Sequence, residues 1–237
     1  MAHLKGKERA EYVQGMFGRI AKRYDLMNRL MTFGQDMSWR RFVVKQTKLP
    51  RGGKLLDLAT GTGDIAFEAL KVTPDLHAIG GDFALPMMHV GQTRELGSRV
   101  GWCGAEALNL PFPDNSFDAV TSGFLLRNLT AADIPRALSE QLRVLKSGGR
   151  VVTLDGVPPP PNLLRPFIDI QLRYVIPTMG RIIVGPEGAD AYKYLPASIV
   201  AFKTPEELAS LFRAAGFKNV QHQTFMLNTM VVVWGEK

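Results

Sequence analysis

The densest chemistry in the sequence is the run LLDLATGTGD at 55–64. Within it Gly61, Thr62 and Gly63, followed by Asp64, Ile65 and Ala66, spell G-x-G-x-x-A between an apolar run and a helical pattern. Glycines there allow a backbone to approach a ligand closely. Asp82 lies 19 positions beyond Gly63, where a carboxylate can accept from both hydroxyls of a ribose. The pattern taken literally also fits a dinucleotide, and with it an NAD-dependent oxidoreductase. Charge separates the two readings. A pyrophosphate seeks a helix N-terminus, and here Asp57 and Asp64 flank the turn with negative charge. S-adenosylmethionine has no phosphate and carries an ammonium and a sulfonium, so an acidic flank suits it. The plain structural alternatives are that Asp64 only caps its helix and Asp57 only ends its strand. Two further stations follow. Gly104-Ala105-Glu106 is placed where an adenine would lie, and Ser122-Gly123 faces the crevice where alternating α/β sheets bind ligands.

The elements that must position these residues alternate. Short apolar runs at 54–59, 76–81, 100–103, 117–122 and 150–155 read as buried strands, with helical patterns at 64–72, 86–96 and 133–145 between them. This order predicts a doubly wound, mostly parallel sheet. The helix at 133–145 is expected to end on a basic turn with glycine caps at 146–149. Four prolines at 158–161 then open a helical insertion, 157–203, rich in aromatic and aliphatic residues. Thr204, Pro205 and Glu207 form a capping-box pattern, and Gly216 ends that helix. Strands at 217–225 and 229–234 close the chain as an antiparallel pair, giving seven strands in all. Before the sheet, Tyr12, Met16, Phe17, Ile20 and Tyr24 fall at helical spacing, Gly34 breaks the pattern, and Trp39 starts a further helix. The domain expectation is an N-terminal helical cover at 1–50 and the sheet domain at 51–237, with 157–203 as a roof over the acceptor.

Composition narrows the rest. The single Cys103 excludes a disulfide framework and a cysteine-built metal cluster, and the four histidines have no metal-ligand spacing. The first residues lack the apolar core of a secretory signal, and no run approaches a membrane span. The expected location is therefore cytoplasmic. Residues 1–51 hold 12 Lys and Arg against 4 Asp and Glu, while the remainder of the +7 chain is near neutral. That basic region is either a solvated face or a surface for an anionic membrane, nucleic acid or an acidic substrate. Aromatics do not interleave with it, which argues against nucleic acid.

Several motifs, in order, resemble the UbiE/MenG family of ubiquinone/menaquinone biosynthesis C-methyltransferases, which includes the demethylmenaquinone methyltransferases. They are Tyr24-Asp25-Leu26-Met27-Asn28 with Thr32, Gly34 and Trp39, then LLDLATGTGD, AEALNLPFPDNSFDAV, Leu126-Arg127-Asn128-Leu129, RVLKSGGRVVTLD, and AYKYLPASI at 191–199. The resemblance covers nearly the whole chain. It implies a class I methyltransferase fold, Rossmann-like with an antiparallel last strand, and C-methylation of a prenylated quinol ring. Carried over by position, Thr62, Asp82, Gly104, Ala105 and Ser122 would meet S-adenosylmethionine, whose product is S-adenosylhomocysteine. The chain departs from the family at Gly104, where Asn is usual, at Leu125 or Leu126, where Gly is usual, and across Asp155–Val157. Another small apolar acceptor is the alternative substrate.

C-methylation is an in-line displacement that needs the acceptor carbon held near the methyl in a dry pocket. Ionising the ring hydroxyl makes that carbon more nucleophilic, so a partner for the oxyanion is expected. Arg127 is the candidate, with Asn128 as its hydrogen-bond neighbour. The alternative for Arg127 is a surface ion pair. Tyr24, Tyr192 and Tyr194 are candidates to line or polarise the site, with amphipathic packing as their plainer reading. His89 and His222 read as surface or packing residues. The partner expectations are the prenylated quinol, an anionic membrane met peripherally through the basic N-terminal region, and a second copy of the chain.

Overall fold

The computed structural model describes residues 6–237; residues 1–5, part of the stretch read as lacking a signal, lie outside the described residues, as do the side chains of Lys7 and Arg9 in the basic region. Two helices, α1 (Gly6–Met31) and α2 (Asp36–Thr47), precede β1 (Lys54–Leu58). The alternating part runs α3 (Asp64–Val72), β2 (His77–Asp82), α4 (Leu85–Gln92), β3 (Val100–Gly104), β4 (Phe117–Gly123), α5 (Ile134–Val144) and β5 (Leu145–Gly156). The insertion carries α6 (Arg165–Ile170), a π-helical stretch at Gln171–Val175, α7 (Ile176–Ile183) and α8 (Pro186–Val200). The chain closes with α9 (Pro205–Ala214), β6 (Lys218–Phe225) and β7 (Met230–Glu236).

The seven strands lie in the order β3-β2-β1-β4-β5-β7-β6. β1 to β5 pair in parallel, and β7 runs antiparallel to both of its neighbours. The period of two explains why both faces are apolar. Leu56, Leu58, Val151, Val231 and Val233 face one core with α5 and α9, while Leu55, Val152, Leu154 and Val232 face the other with α2 and α3. Strand order reverses between β1 and β4, and a ligand crevice opens beyond the strand ends at such a switch point. A third apolar cluster lies above it. Val13, Met16, Ile20, Met27 and Met31 of α1 pack there on Ile168, Leu172, Ile176, Tyr192 and Ile199 of the insertion.

Three boundaries differ from the sequence expectation by more than two residues, each for a local reason. The glycines at 148 and 149 do not cap α5. Leu145 is already extended and paired with Phe117, and residues 146–149 form a bulge before pairing resumes at Arg150. Lys146 is drawn onto the Asp118 carboxylate at 2.8 Å, and Gly148 takes the left-handed turn this requires, at φ 75°. α4 ends at Gln92 rather than at 96, since Arg94 turns away to the acidic groups described below. α2 begins at Asp36, one turn before Trp39. The capping box at Thr204 is formed as read, with both reciprocal bonds between Thr204 and Glu207.

Candidate active site

The crevice is shaped by two residues in a conformation that L side chains avoid. Ala59 follows β1 at φ 50° and Phe124 follows β4 at φ 59°. Such residues cost on the order of 1–3 kcal/mol each and persist where the surroundings fix them, characteristically at ligand sites. Between them lies the glycine turn. Gly63 has φ 90°, and a Cβ there would come within 2.8 Å of both Phe67 and Trp102, so the position admits no side chain.

Carboxylates brace this turn from within. Asp82, buried at the end of β2, accepts from the Gly61 N–H and the Ala84 N–H, both at 2.8 Å. Burial raises its pKa, and the Ala84 and Gly61 N–H groups oppose the rise. Asp57 accepts from Thr60 Oγ1 at 2.7 Å and Thr121 Oγ1 at 2.8 Å, and burial pushes it up to about 6 against those bonds. Asp64 is different. Its carboxylate meets Arg29 at 2.9 Å, Arg94 at 2.7 Å and Arg40 at 3.3 Å. Burial alone would raise its pKa, but the guanidiniums outweigh it and hold Asp64 below the usual carboxylate range. The negative charge expected at the head of α3 is therefore compensated, and Asp64 is first in its helix rather than the cap, which is Gly63.

Those arginines belong to a network that ties α1 and α2 to the turn. Arg40 also binds Asp36 at 2.6 Å, Arg29 binds the same Asp36, and Arg94 reaches Asp25 at 3.2 Å. Thr62 Oγ1 donates to Asp25 at 2.6 Å. The Y-D-x-M-N stretch acquires a physical meaning from this. Asp25 holds the glycine turn, Tyr24 points along the crevice, and Asn28 is buried beside it. Sequence reading missed Arg40, Asp36, Arg94 and Ala59. An i,i+4 Asp36–Arg40 pair on a helix was the one signal available for two of them.

Three cavities meet here. A cavity of about 50 Å³ lies between Asp82, Phe83 and Ala84 below and Val13 and Phe17 of α1 above, with Gly61, Leu125 and Asn128 in its wall. One of about 30 Å³ is lined by Asp57, Gly61, Thr62, Asp64 and Arg40. The third, about 120 Å³, is lined mostly by apolar side chains, many of them from α1 and the helices of the insertion, among them Met16, Ile20, Ile168, Leu172 and Ile199. Tyr24 and Phe124 line all three and so partition them. Burial raises the pKa of Tyr24, keeping its hydroxyl protonated.

Arg127 lines the apolar cavity and is buried, not a surface group. Its Nε lies 3.1 Å from Asp155, its backbone N–H donates to the same carboxylate at 3.1 Å, and Nη1 donates to Ser198 of α8 at 3.2 Å. Its guanidinium also stacks over Phe124 at 5.2 Å. Burial pushes the Asp155 carboxyl above its ordinary range, with Arg127 pulling the other way. Asn128 donates to the Phe124 carbonyl at 2.7 Å, which helps hold the strained residue. The hydroxyls of Tyr192 and Tyr194 are buried in the apolar cavity with no hydrogen-bond partner among the described residues. Burial raises the pKa of Tyr192, as does its nearness to Tyr24.

Of the residues singled out in sequence, the crevice brings together Asp57, Gly61, Thr62, Asp82, Tyr24, Arg127 and Asn128, with Gly63 beneath. Gly104 sits at the end of β3 opposite Asp82, and Ala105 follows it with its N–H committed to the Asp82 carbonyl at 3.1 Å; neither lines these cavities. Ser122 does not reach them either, because its hydroxyl is buried against Thr153 at 3.0 Å. Leu125 lies in the cavity of Asp82 and Leu126 in the core, and neither lines the apolar cavity. His89 is exposed and His222 lies 4.0 Å from Glu206, both away from the crevice.

A model of the ubiE/COQ5 methyltransferase family matches residues 4–237. The chain is 48% identical to the ubiquinone/menaquinone biosynthesis C-methyltransferase UbiE of Desulfotalea psychrophila, across 95% of this chain and 90% of that protein. It is 41% identical to the demethylmenaquinone methyltransferase of Thermus thermophilus, across 94% of this chain and all (100%) of that one. Among solved structures it is similar to Haemonchus contortus phosphoethanolamine N-methyltransferase 2 in complex with S-adenosyl-L-methionine. The TM-score is 0.61 at 17% identity, covering 84% of this chain and 52% of that one, a likeness of fold.

Proposed function

The chain belongs to the ubiE/COQ5 methyltransferase family, and we propose that its three cavities divide the work between cofactor and a prenylated quinol. It is an S-adenosylmethionine-dependent methyltransferase acting on carbon in quinone biosynthesis. The literal dinucleotide reading of G-x-G-x-x-A gives way to that membership.

The residues present fit the cofactor. The Asp82 oxygens accept the Gly61 and Ala84 N–H groups, with a further bond from the Phe83 N–H, and keep lone-pair capacity for ribose hydroxyls. Asp57 would supply a carboxylate for the ammonium, and Arg40, in the same small cavity, would suit the cofactor's own carboxylate. Gly61 and Thr62 bring the backbone close. Gly104 and Ala105 are assigned to the adenine end by their place beside Asp82, and Ser122 to bracing β4 from below. The bound cofactor supplies an electrophilic methyl group on a cationic sulfur.

The observation that carries the acceptor reading is the apolar cavity that meets the cofactor cavities at Tyr24 and Phe124, with one buried guanidinium in its wall. Arg127, held by Asp155 and Ser198, places positive charge where a ring hydroxyl would ionise, which raises the nucleophilicity of the ring carbon. Asn128 fixes Phe124 and with it the partition. Tyr24, kept protonated, lines the passage. The Tyr192 and Tyr194 hydroxyls can donate to ring oxygens, relieving a desolvation cost of about 1–3 kcal/mol for each buried, unbonded group. In this reading α1 and α2 cover the site, and 157–203 roofs the acceptor. The protein works from the cytoplasm at a membrane surface; no described helix is long and apolar enough to cross one. The test is turnover of a reduced short-chain demethylated quinol. Arg127→Ala should abolish it while S-adenosylhomocysteine still binds, and full turnover in that variant would remove Arg127 from the mechanism.

A further inference from the structure

Helices α6 and α7, joined by the π-helical stretch, form a rod that is apolar on two sides. The inward stripe, Ile168, Leu172 and Ile176, lines the acceptor cavity. The outward stripe, Phe167, Ile170 and Tyr174, is 70%, 53% and 67% exposed, with Leu163 before it and Ile182 beyond. Steps of three and four residues put these on one helical face, and a water-facing surface rarely carries such a run without an occupant. At the middle of the rod Gln171 donates to the Met31 carbonyl at 3.5 Å, so the end of α1 lies beside it. There α1 exposes Leu26 and Leu30, and Phe33 follows at 82% exposed. Along the same face of α1 come the exposed Arg19, Lys22 and Arg23. The rod adds the exposed Arg173 and Arg181, while its acid, Asp169, is paired with Arg165 at 2.9 Å.

We propose that this face docks on an anionic lipid bilayer, with the apolar stripe entering the headgroup boundary and the basic residues meeting anionic headgroups. Charge selects the occupant. A second copy related by a two-fold axis would set this basic patch against the same basic patch, whereas anionic headgroups complement it. The position of the stripe agrees: it lies on the back of the helices that line the acceptor cavity. That second argument rests on the prenylated-quinol reading; the first does not. The basic N-terminal region contributes less to this than its count suggests, because Arg29 and Arg40 point inward to Asp36 and Asp64.

The experiment is flotation of the full chain with phosphatidylcholine vesicles, with and without one part in three of phosphatidylglycerol. Binding is expected on the anionic vesicles and should weaken with salt. The pairs Phe167→Glu with Tyr174→Glu and Arg173→Glu with Arg181→Glu should each lower partitioning by about tenfold or more. None of the four lines the three cavities of the crevice, so S-adenosylhomocysteine affinity and turnover of a short-chain quinol in buffer should stay at the parent values. Parent protein that ignores anionic vesicles, or variants that bind them equally well, would overturn the proposal. So would a dimer in buffer that the Phe167→Glu pair splits without any vesicle binding, since the face would then belong to a second copy. Vesicle binding without quinol turnover would instead count against the acceptor reading alone.

Discussion

Replacing Asp82 separates a residue that reads the cofactor from one that only holds the loop. Its two oxygens accept the Gly61 and Ala84 N–H groups at 2.8 Å each, inside a buried site. Asp82→Ala would leave those donors unbonded, at about 1–3 kcal/mol each in stability where water does not replace the carboxylate. If the free lone pairs also accept ribose hydroxyls, each lost charged hydrogen bond weakens binding by about 1.5–3 kcal/mol, roughly 10- to 150-fold. Calorimetric titration with S-adenosylhomocysteine measures the total, but loop disorder would weaken binding too. The discriminating form is a double cycle with 2′-deoxy and 3′-deoxy analogues of the same ligand. Parent protein should lose affinity for each analogue, and Asp82→Ala should bind all three alike. Analogue losses that persist undiminished in Asp82→Ala would refute the ribose assignment and leave Asp82 a loop brace.

Other substitutions probe other parts of the crevice. Asp57 ionises near pH 6 in the native protein rather than near 3.8. Protonation is thus favoured by folding, so its contribution to stability falls as pH rises from about 4 to about 6. Affinity for the cofactor's ammonium should move the opposite way. It should be about tenfold weaker at pH 5 than above pH 7, with Asp57→Asn flattening the profile in calorimetry. Asp25→Ala removes the acceptor of the buried Thr62 hydroxyl and of Arg94, so it should speed S-adenosylhomocysteine release in stopped flow and lower the thermal midpoint by about a few degrees. Tyr192→Phe deletes an unbonded buried hydroxyl, so it should not destabilise the protein, yet it should raise the quinol KM in steady-state kinetics.

The parts of this molecule that could be read in the sequence are those fixed by local rules. The buried run at β1, the capping box at Thr204 and the alternation that places Asp82 at a strand end all depend on near neighbours in the chain. What escaped reading depends on distant ones. The charge of Asp64 could not be judged without Arg29, Arg40 and Arg94, which arrive from α1, α2 and the turn after α4. The left-handed Phe124 is invisible because its residue type disfavours that conformation, and its surroundings impose it. Lys146 looked like a helix-end cation because Asp118, its partner, lies on another strand. The exposed stripe of the roof was counted with its buried one, since composition does not say which side of a helix faces out.

The most direct test of the central claim is the position of the transferred methyl. A short-chain demethylated quinol and S-adenosylmethionine carrying a deuterated methyl group are incubated with the protein, and the product is examined by mass spectrometry and NMR. The account predicts the label on a ring carbon, with loss of the ring proton at that position. Label in a methoxy group, or no transfer by protein that binds the cofactor and the quinol, would contradict it.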